Sequence, residues 1–205
     1  MPGSEVILVG YSGHGFVVAD AALESGLILL GYTEINEQSL DPFNLKYLGD
    51  ESDPNFKEWE TDKKFILGIG DNKIRQKVAN YILSKNMEFL NVIHPSSSIS
   101  KTFTMGIGNF ISKNVSINPL ARIGDLCIIN TSAVIEHECS IGNAVHIAPG
   151  AVLAGNVSVG DLSFIGANSV IKQGIRIGRN VVVGAGSVVI KNIGDNETVV
   201  GNPAK

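Results

Sequence analysis

From Ile93 to Val189 an apolar side chain returns at every sixth position without a miss, through Ile99, Met105, Ile111 and onward to Val183. A helix repeats at about 3.6 residues and a strand at every second residue, so neither alone produces an unbroken six. This is the period of a hexapeptide parallel β-helix, in which each hexad makes one face of a coil. Four positions after each lead residue the side chain is small or β-branched, as at Ala121, Cys127, Ala133, Cys139, Val145 and Ala151. Large lead residues and small partners fill an interior. Glycine often follows the lead residue, as at Gly124, Gly142, Gly160 and Gly178, and is expected to let the chain turn. Three hexads close a coil, so residues 18 apart stack and the ladder builds between five and six coils.

The first 92 residues read differently. Glu5–Val9 is a short β-rich run that ends in the loop Gly10-Tyr-Ser-Gly-His-Gly15, followed by a helical pattern over residues 16–25 with Gly26 as its stop. Strands are expected over 27–32, 64–69 and 88–93, and a helix from Asp71 or Asn72 to about Lys85. Alternating strands and helices imply a small parallel α/β unit. Its ligands bind beyond the strand carboxyl ends. Three segments fall there: the glycine loop, Glu34 at the end of the second strand, and Gly70-Asp-Asn-Lys-Ile-Arg75. The loop spacing G-x-x-G-x-G differs from the dinucleotide fingerprint, and it serves equally as a tight strand-to-helix turn or as a phosphate cradle. Glu34 suits a ribose or base, or is a solvated carboxylate. Lys73 and Arg75 suit a pyrophosphate, or cover their helix. Together the segments favour a nucleotide-containing small molecule.

A hydrophobic content of 44% supports a sizeable core, and the net charge of −4 leaves no basic footprint for nucleic acid or anionic membrane. No apolar run approaches the roughly 18 residues of a membrane span. The opening Met1-Pro-Gly-Ser-Glu-Val lacks a cationic leader region, which points to a cytoplasmic protein. Cys127 and Cys139 share the small-residue column two faces apart, so they are expected as buried thiols rather than a disulfide.

The repeat is most polar at Asn130-Thr-Ser-Ala-Val-Ile-Glu-His-Glu-Cys139, where His137 lies between Glu136 and Glu138. His146 follows half a coil later, on another side of the prism, so one chain cannot bring both histidines to one substrate. Two prisms side by side can. Gly155 stacks one coil beyond His137 and leaves a backbone N–H open beside it. A base next to a free amide donor is what acyl transfer needs. No cysteine or carboxylate set completes a tetrahedral metal site, so no metal is expected. The later coils, including Ile165-Gly-Ala-Asn-Ser-Val170 and Val183-Gly-Ala-Gly-Ser-Val188, are small enough to line a groove for a thin ligand. Lys205 is a free tail or a phosphate contact.

On the glycine loop, the Gly70–Arg75 segment, the Asn130–Cys139 segment and the closing Gly-Asn-Pro-Ala-Lys, the chain resembles the bacterial left-handed β-helix sugar acetyltransferases with an N-terminal α/β domain. Within these it is most similar to the type that acts on nucleotide-linked 4-amino sugars, as in the UDP-N-acetylbacillosamine pathway. The resemblance implies a Rossmann-like nucleotide-sugar-binding domain over residues 1–92 and an all-β left-handed parallel β-helix over 93–205. It implies an acetyl-CoA-dependent N-acetyltransferase for bacterial surface glycans or protein glycosylation, assembled as a homotrimer with active sites between protomers. His137 is then the general base, supported in its basicity by Glu138, with Glu136 as the alternative. Adjacent strand residues point to opposite faces, so Glu138 helps only if the chain bends there. His146 and Gly155 take the thioester end of acetyl-CoA, and Ala167 and Ala185 its pantetheine arm. Ser12, Gly13 and His14 hold the nucleotide sugar with Glu34, Gly70 and Lys73. The family often carries Asp where this chain has Thr33-Glu34-Ile35-Asn36, which leaves base and sugar unspecified. O-acetylation of a sialic-acid-type sugar and a non-catalytic nucleotide-sugar-binding trimer are the rival expectations.

Overall fold

The computed structural model describes residues 4–60 and 62–205. Met1 to Gly3 of the opening segment and Thr61 lie outside the described residues. The chain begins with β1 (Glu5–Val9), α1 (Gly13–Glu24), β2 (Ile28–Thr33), β3 (Lys64–Leu67) and α2 (Asn72–Ser84). The three strands pair in parallel in the order β2-β1-β3. Asp71 caps α2, its carboxylate accepting from the N–H groups of Lys73 and Ile74. The expected strand over 88–93 does not form as one piece. Phe89 makes an isolated bridge to Phe65, and Val92–Ile93 opens the next architecture.

That architecture is a parallel solenoid of two-residue strands from Val92–Ile93 to Thr198–Val199, arranged as sheets of seven, six and five strands. Each coil gives one strand to each sheet. The first face carries Phe110–Ile111, Ile128–Ile129 and His146–Ile147; the second Val134–Ile135; the third Ser140–Ile141. Register follows the 18-residue stacking, with Ile129 opposite both Ile111 and Ile147. Lead residues and their small partners, both cysteines included, fill one continuous core. Each buried isoleucine or valine contributes about 1.5–3 kcal/mol of transfer free energy, which offsets the entropy of ordering so many corners.

The corners correct one expectation. The glycines after the lead residues do not make the turns. A Cβ on Gly160 would lie 2.7 Å from the Gly178 carbonyl carbon, and one on Gly166 would lie 2.5 Å from the Val183 oxygen, so these glycines let coils stack closely. The turn is made three positions after the lead, by a residue in the left-handed region: Leu126 (φ 60°), Glu138 (φ 62°), Asn156 (φ 56°) and their equivalents. Asparagine and glycine fit that region readily, whereas leucine and glutamate adopt it at a cost of about 1–2 kcal/mol that stacking must offset.

The first face is covered by the N-terminal unit. Its outward side chains Val92, Phe110 and Ile128 share a buried cluster with Val6, Leu8, Val18, Ala22 and Tyr32. Leu126 and Ala144, at the corner beside that face, share a second cluster with Ile7, Phe65, Ala79 and Ile82. No described helix is long and apolar enough to cross a membrane.

The glycine loop separates into two kinds of glycine. A Cβ on Gly15 would stand 2.3 Å from the Gly10 carbonyl oxygen, whereas one on Gly13 would meet nothing within 4 Å. Gly15→Ala is therefore expected to destabilise the protein by about 1–3 kcal/mol through overpacking. Gly13→Ala should change stability by no more than about 0.5 kcal/mol. Denaturant unfolding of the two variants checks the contrast, and equal effects would refute it.

Candidate active site

The second-face strand Val134–Ile135 runs into the corner formed by His137 and Glu138. Because Glu138 is left-handed rather than extended, strand alternation does not apply to it, and its carboxylate reaches the His137 ring, Oε2 to Nδ1 at 3.0 Å. Glu136 instead accepts from the His137 backbone N–H at 3.3 Å. His137 and Glu138 are half exposed, so the pair contributes little to stability. Its consequence is orientation: with Nδ1–H donating to the carboxylate, Nε2 keeps a lone pair. Gly155 lies against this end of the ring, where a Cβ would come within 2.6 Å of Nε2. The Gly155 N–H has no acceptor among the described residues. The corner thus sets a half-exposed base beside the buried Gly155, whose N–H is the candidate donor to a reacting group.

His146 lies elsewhere. It points outward from the first face, between Ile128 and Phe164, and is buried where the N-terminal unit meets the solenoid. Its Nε2 accepts from the Asn130 amide at 3.1 Å, while Nδ1 is buried with no hydrogen-bond partner. The His14 ring is 6.1 Å away between centroids, and its Nε2 is also buried and unpartnered. Burial, then the Arg75 guanidinium and His14, push His146 down to about 3; burial, then Arg75, push His14 to about 4. Both rings are neutral at physiological pH. Ala167 and Ala185 sit at the corner between the first and second faces, and their N–H groups donate to nothing among the described residues. The corner of His137 joins the second and third faces, opposite the first. Within one chain, then, Gly155 accompanies His137, whereas His146, Ala167 and Ala185 belong to another side.

Two clefts border the N-terminal unit. One, of about 220 Å³, lies beyond the carboxyl ends of all three strands and is lined by Ser12, Thr33, Glu34, Glu51, Gly70 and Ile74 among others. Ser12 is the N-cap of α1, yet its side chain makes no capping bond, so its hydroxyl remains available. Glu34 both lines this cleft and braces the glycine loop, accepting from the Tyr11 N–H at 3.0 Å. Burial raises the pKa of Glu51 on the same wall. The other cleft, of about 410 Å³, lies between the start of α2 and the first face, walled by Gly70, Asn72, Lys73, Phe164, Asn180 and Val182. Gly70 borders both clefts. Gly13 is exposed at the start of α1.

Arg75 does not face either cleft as a phosphate ligand. It is 1% exposed and fully engaged with protein oxygens. Sequence reasoning also passed over Phe164, Val182 and Glu51. For the first two a signal was present: on the first face the residue before the lead is apolar (Val92, Phe110, Ile128, Phe164, Val182) except at His146, while the third face has Thr104, Arg122, Ser140, Ser158 and Arg176. Among the described residues no group of three or more metal-ligating side chains comes together.

The histidine pair makes stability depend on pH. Folded-state values near 3 and 4 lie below the unfolded value of about 6.5, so between these limits the unfolded chain binds more protons. Their contribution is complete above about pH 6.5 and is lost as pH falls toward the folded values. At pH 5 the loss relative to pH 7.5 is about 2 kcal/mol per histidine. Urea unfolding at the two pH values measures it, and His14→Gln should remove about half; a stability independent of pH contradicts the assignment.

Residues 5–82 match the PglD N-terminal domain, residues 138–173 the bacterial transferase hexapeptide (six repeats), and residues 156–191 the hexapeptide repeat of succinyl-transferase. The chain is 37% identical over 77 residues to a GDP-perosamine N-acetyltransferase of Escherichia coli O157:H7, 38% of this chain and 35% of that one. It spans about a quarter to about a third of the length of the curated relatives it matches. The acetyltransferase domain of PglB from Neisseria gonorrhoeae, solved with acetyl coenzyme A, superposes with a TM-score of 0.92 at 29% identity, covering 99% of this chain and 98% of that one. PerB from Caulobacter crescentus, solved with CoA and GDP-perosamine, gives 0.91 at 32% identity, covering 98% and 96%. With an α/β unit of the PglD type packed on a left-handed β-helix of hexapeptide repeats, the chain belongs to the hexapeptide-repeat sugar acetyltransferases.

Proposed function

We propose that this protein transfers acetyl from acetyl-CoA to the amine of a nucleotide-linked 4-amino-4,6-dideoxy sugar. The observation that carries the reading is the His137 corner, where Glu138 holds Nδ1 at 3.0 Å and Nε2 lies against Gly155. His137 Nε2 takes a proton from the neutral sugar amine as its nitrogen attacks the thioester carbonyl. Glu138 stabilises the imidazolium that forms, and the Gly155 N–H meets the charge developing on the carbonyl oxygen. As the C–S bond breaks, His137 returns its proton to the departing thiolate. Residues 93–205 supply this chemistry, and residues 1–92 bind the nucleotide sugar through Ser12, Gly13, His14, Glu34, Gly70 and Lys73.

Acetyl-CoA fits the features available to it. Ala167 and Ala185 present unpaired backbone donors to an amide-bearing arm, and the neutral His146 lies on the adjoining first face, toward the thioester end. Similar structures hold acetyl coenzyme A in one case and CoA with GDP-perosamine in another, which supports the same ligand classes. The separation of His137 from His146, Ala167 and Ala185 favours a homotrimer in which the base of one chain serves the substrates held by its neighbour. Two buried, unpaired thiols agree with a reducing cytoplasm.

His137→Ala should lower kcat by roughly 10²–10⁴-fold, the span usual for a general base. Thiol release with UDP-, GDP- and dTDP-linked 4-amino sugars, beside free sugars, measures it. Full activity removes His137 from the mechanism, and turnover only on free hydroxyl sugars replaces N- with O-acetylation. The shared site has its own test. Co-expressing His137→Ala with His146→Ala chains should give activity well above that of either variant alone, because some interfaces combine two intact halves. A mixture no better than the separate variants places the site in a single chain.

A further inference from the structure

Residues Leu126, Ala144 and Leu162 stack at the same corner of three successive coils, and all three are left-handed, with φ of 60°, 52° and 63°. Two side chains from the start of α2 bond to this column. Arg75 donates from Nε to the Leu126 carbonyl at 2.8 Å and from Nη2 to the Ala144 carbonyl at 3.2 Å. Asn72 donates to the carbonyls of Leu162 and Ser163, both at 3.1 Å. The two are joined, Arg75 Nη2 to Asn72 Oδ1 at 2.8 Å, and Arg75 Nη1 reaches back to the carbonyls of Ile69 and Gly70 at 3.1 and 3.0 Å. We propose that Arg75 is a positioning residue which, with Asn72, locks the Gly70–Lys73 turn onto the solenoid and so sets both substrate clefts relative to the first face.

The chemistry of the arrangement supports this. Arg75 is buried at 1% exposure, and its guanidinium hydrogen bonds go to carbonyl or amide oxygens rather than to a carboxylate. Burial pulls its pKa down to about 10, which leaves it charged at neutral pH. A buried cation without a counter-ion gives weak stabilisation for its desolvation cost. A planar fork that spans several carbonyls at once gives geometric definition that a lysine ammonium cannot. What it defines is the turn that walls both clefts: Gly70 lines each, and Asn72 and Lys73 line the larger together with Phe164. His137, at the opposite corner, is not among its contacts.

The kinetic consequence rests on the proposed acetyl transfer, but the positioning itself can be read without turnover. Arg75→Met, Arg75→Lys and Asn72→Ala are compared with the parent chain. Hydrogen exchange in the ligand-free protein should be faster at the amides of residues 70–74 in all three, with the later coils unchanged. Calorimetry with UDP, GDP and CoA should show about tenfold weaker binding of the ligands the parent takes. In the transfer assay KM should rise by about tenfold while kcat stays within about threefold. Arg75→Lys should not rescue, because the fork rather than the charge is required. Local exchange that is unchanged, exchange that rises uniformly through the chain, or parental affinities in a variant with a lowered Tm would each overturn the proposal. If Arg75→Met does not fold, Asn72→Ala and Arg75→Lys decide by the same criteria. A parent chain that binds CoA without transferring acetyl sinks the acetyl-transfer reading and leaves the exchange result standing.

Discussion

A solenoid coil can close only if its backbone changes direction at each corner, and here, from Gly108 to Gly186, that change is made by one residue per corner held in the left-handed region. Leu126, Ala144, Leu162 and Glu138 accept this conformation although none is a favoured residue for it. Interior stacking repays the strain, since each coil buries its lead isoleucines and valines only against the next. The corner geometry then reappears wherever the molecule does something. At one corner it swings Glu138 onto the His137 ring. At another it presents a column of carbonyls, which Arg75 and Asn72 read coil by coil.

The N-terminal unit depends on that regularity. Its sheet is too small to bury both faces alone, and the outward side chains Val92, Phe110 and Ile128 complete its core. The last part of the same ladder, Phe164 and Val182, is left uncovered and becomes the floor of the larger cleft. One row of residues therefore serves as packing surface at one end and as the wall of a cleft at the other. His146 falls between, which accounts for both its burial and its lowered pKa.

Triangular symmetry also decides what a single chain can do. His137 and Gly155 occupy the corner opposite the face that carries His146 and borders the larger cleft. A rigid prism cannot fold back to join them. The proposed chemistry therefore calls for assembly, with a second prism to bring the missing half.

Much of this was legible in the order of residues. The six-residue period dictates a three-faced solenoid, because no other regular backbone buries every sixth side chain, and the 18-residue stacking it implies put Gly155 beside His137. The N-terminal alternation dictated a parallel sheet with its ligand segments at the strand ends. Other features depended on contacts far apart in the chain. The choice of Glu138 over Glu136 rests on a single φ angle that no local propensity of glutamate favours. Whether Arg75 met a phosphate or the carbonyls of two successive coils depended on how one unit docks against the other. A periodic sequence specifies its own repeat because each unit sees the same neighbours, but a unique residue takes its role from whatever the tertiary fold sets against it.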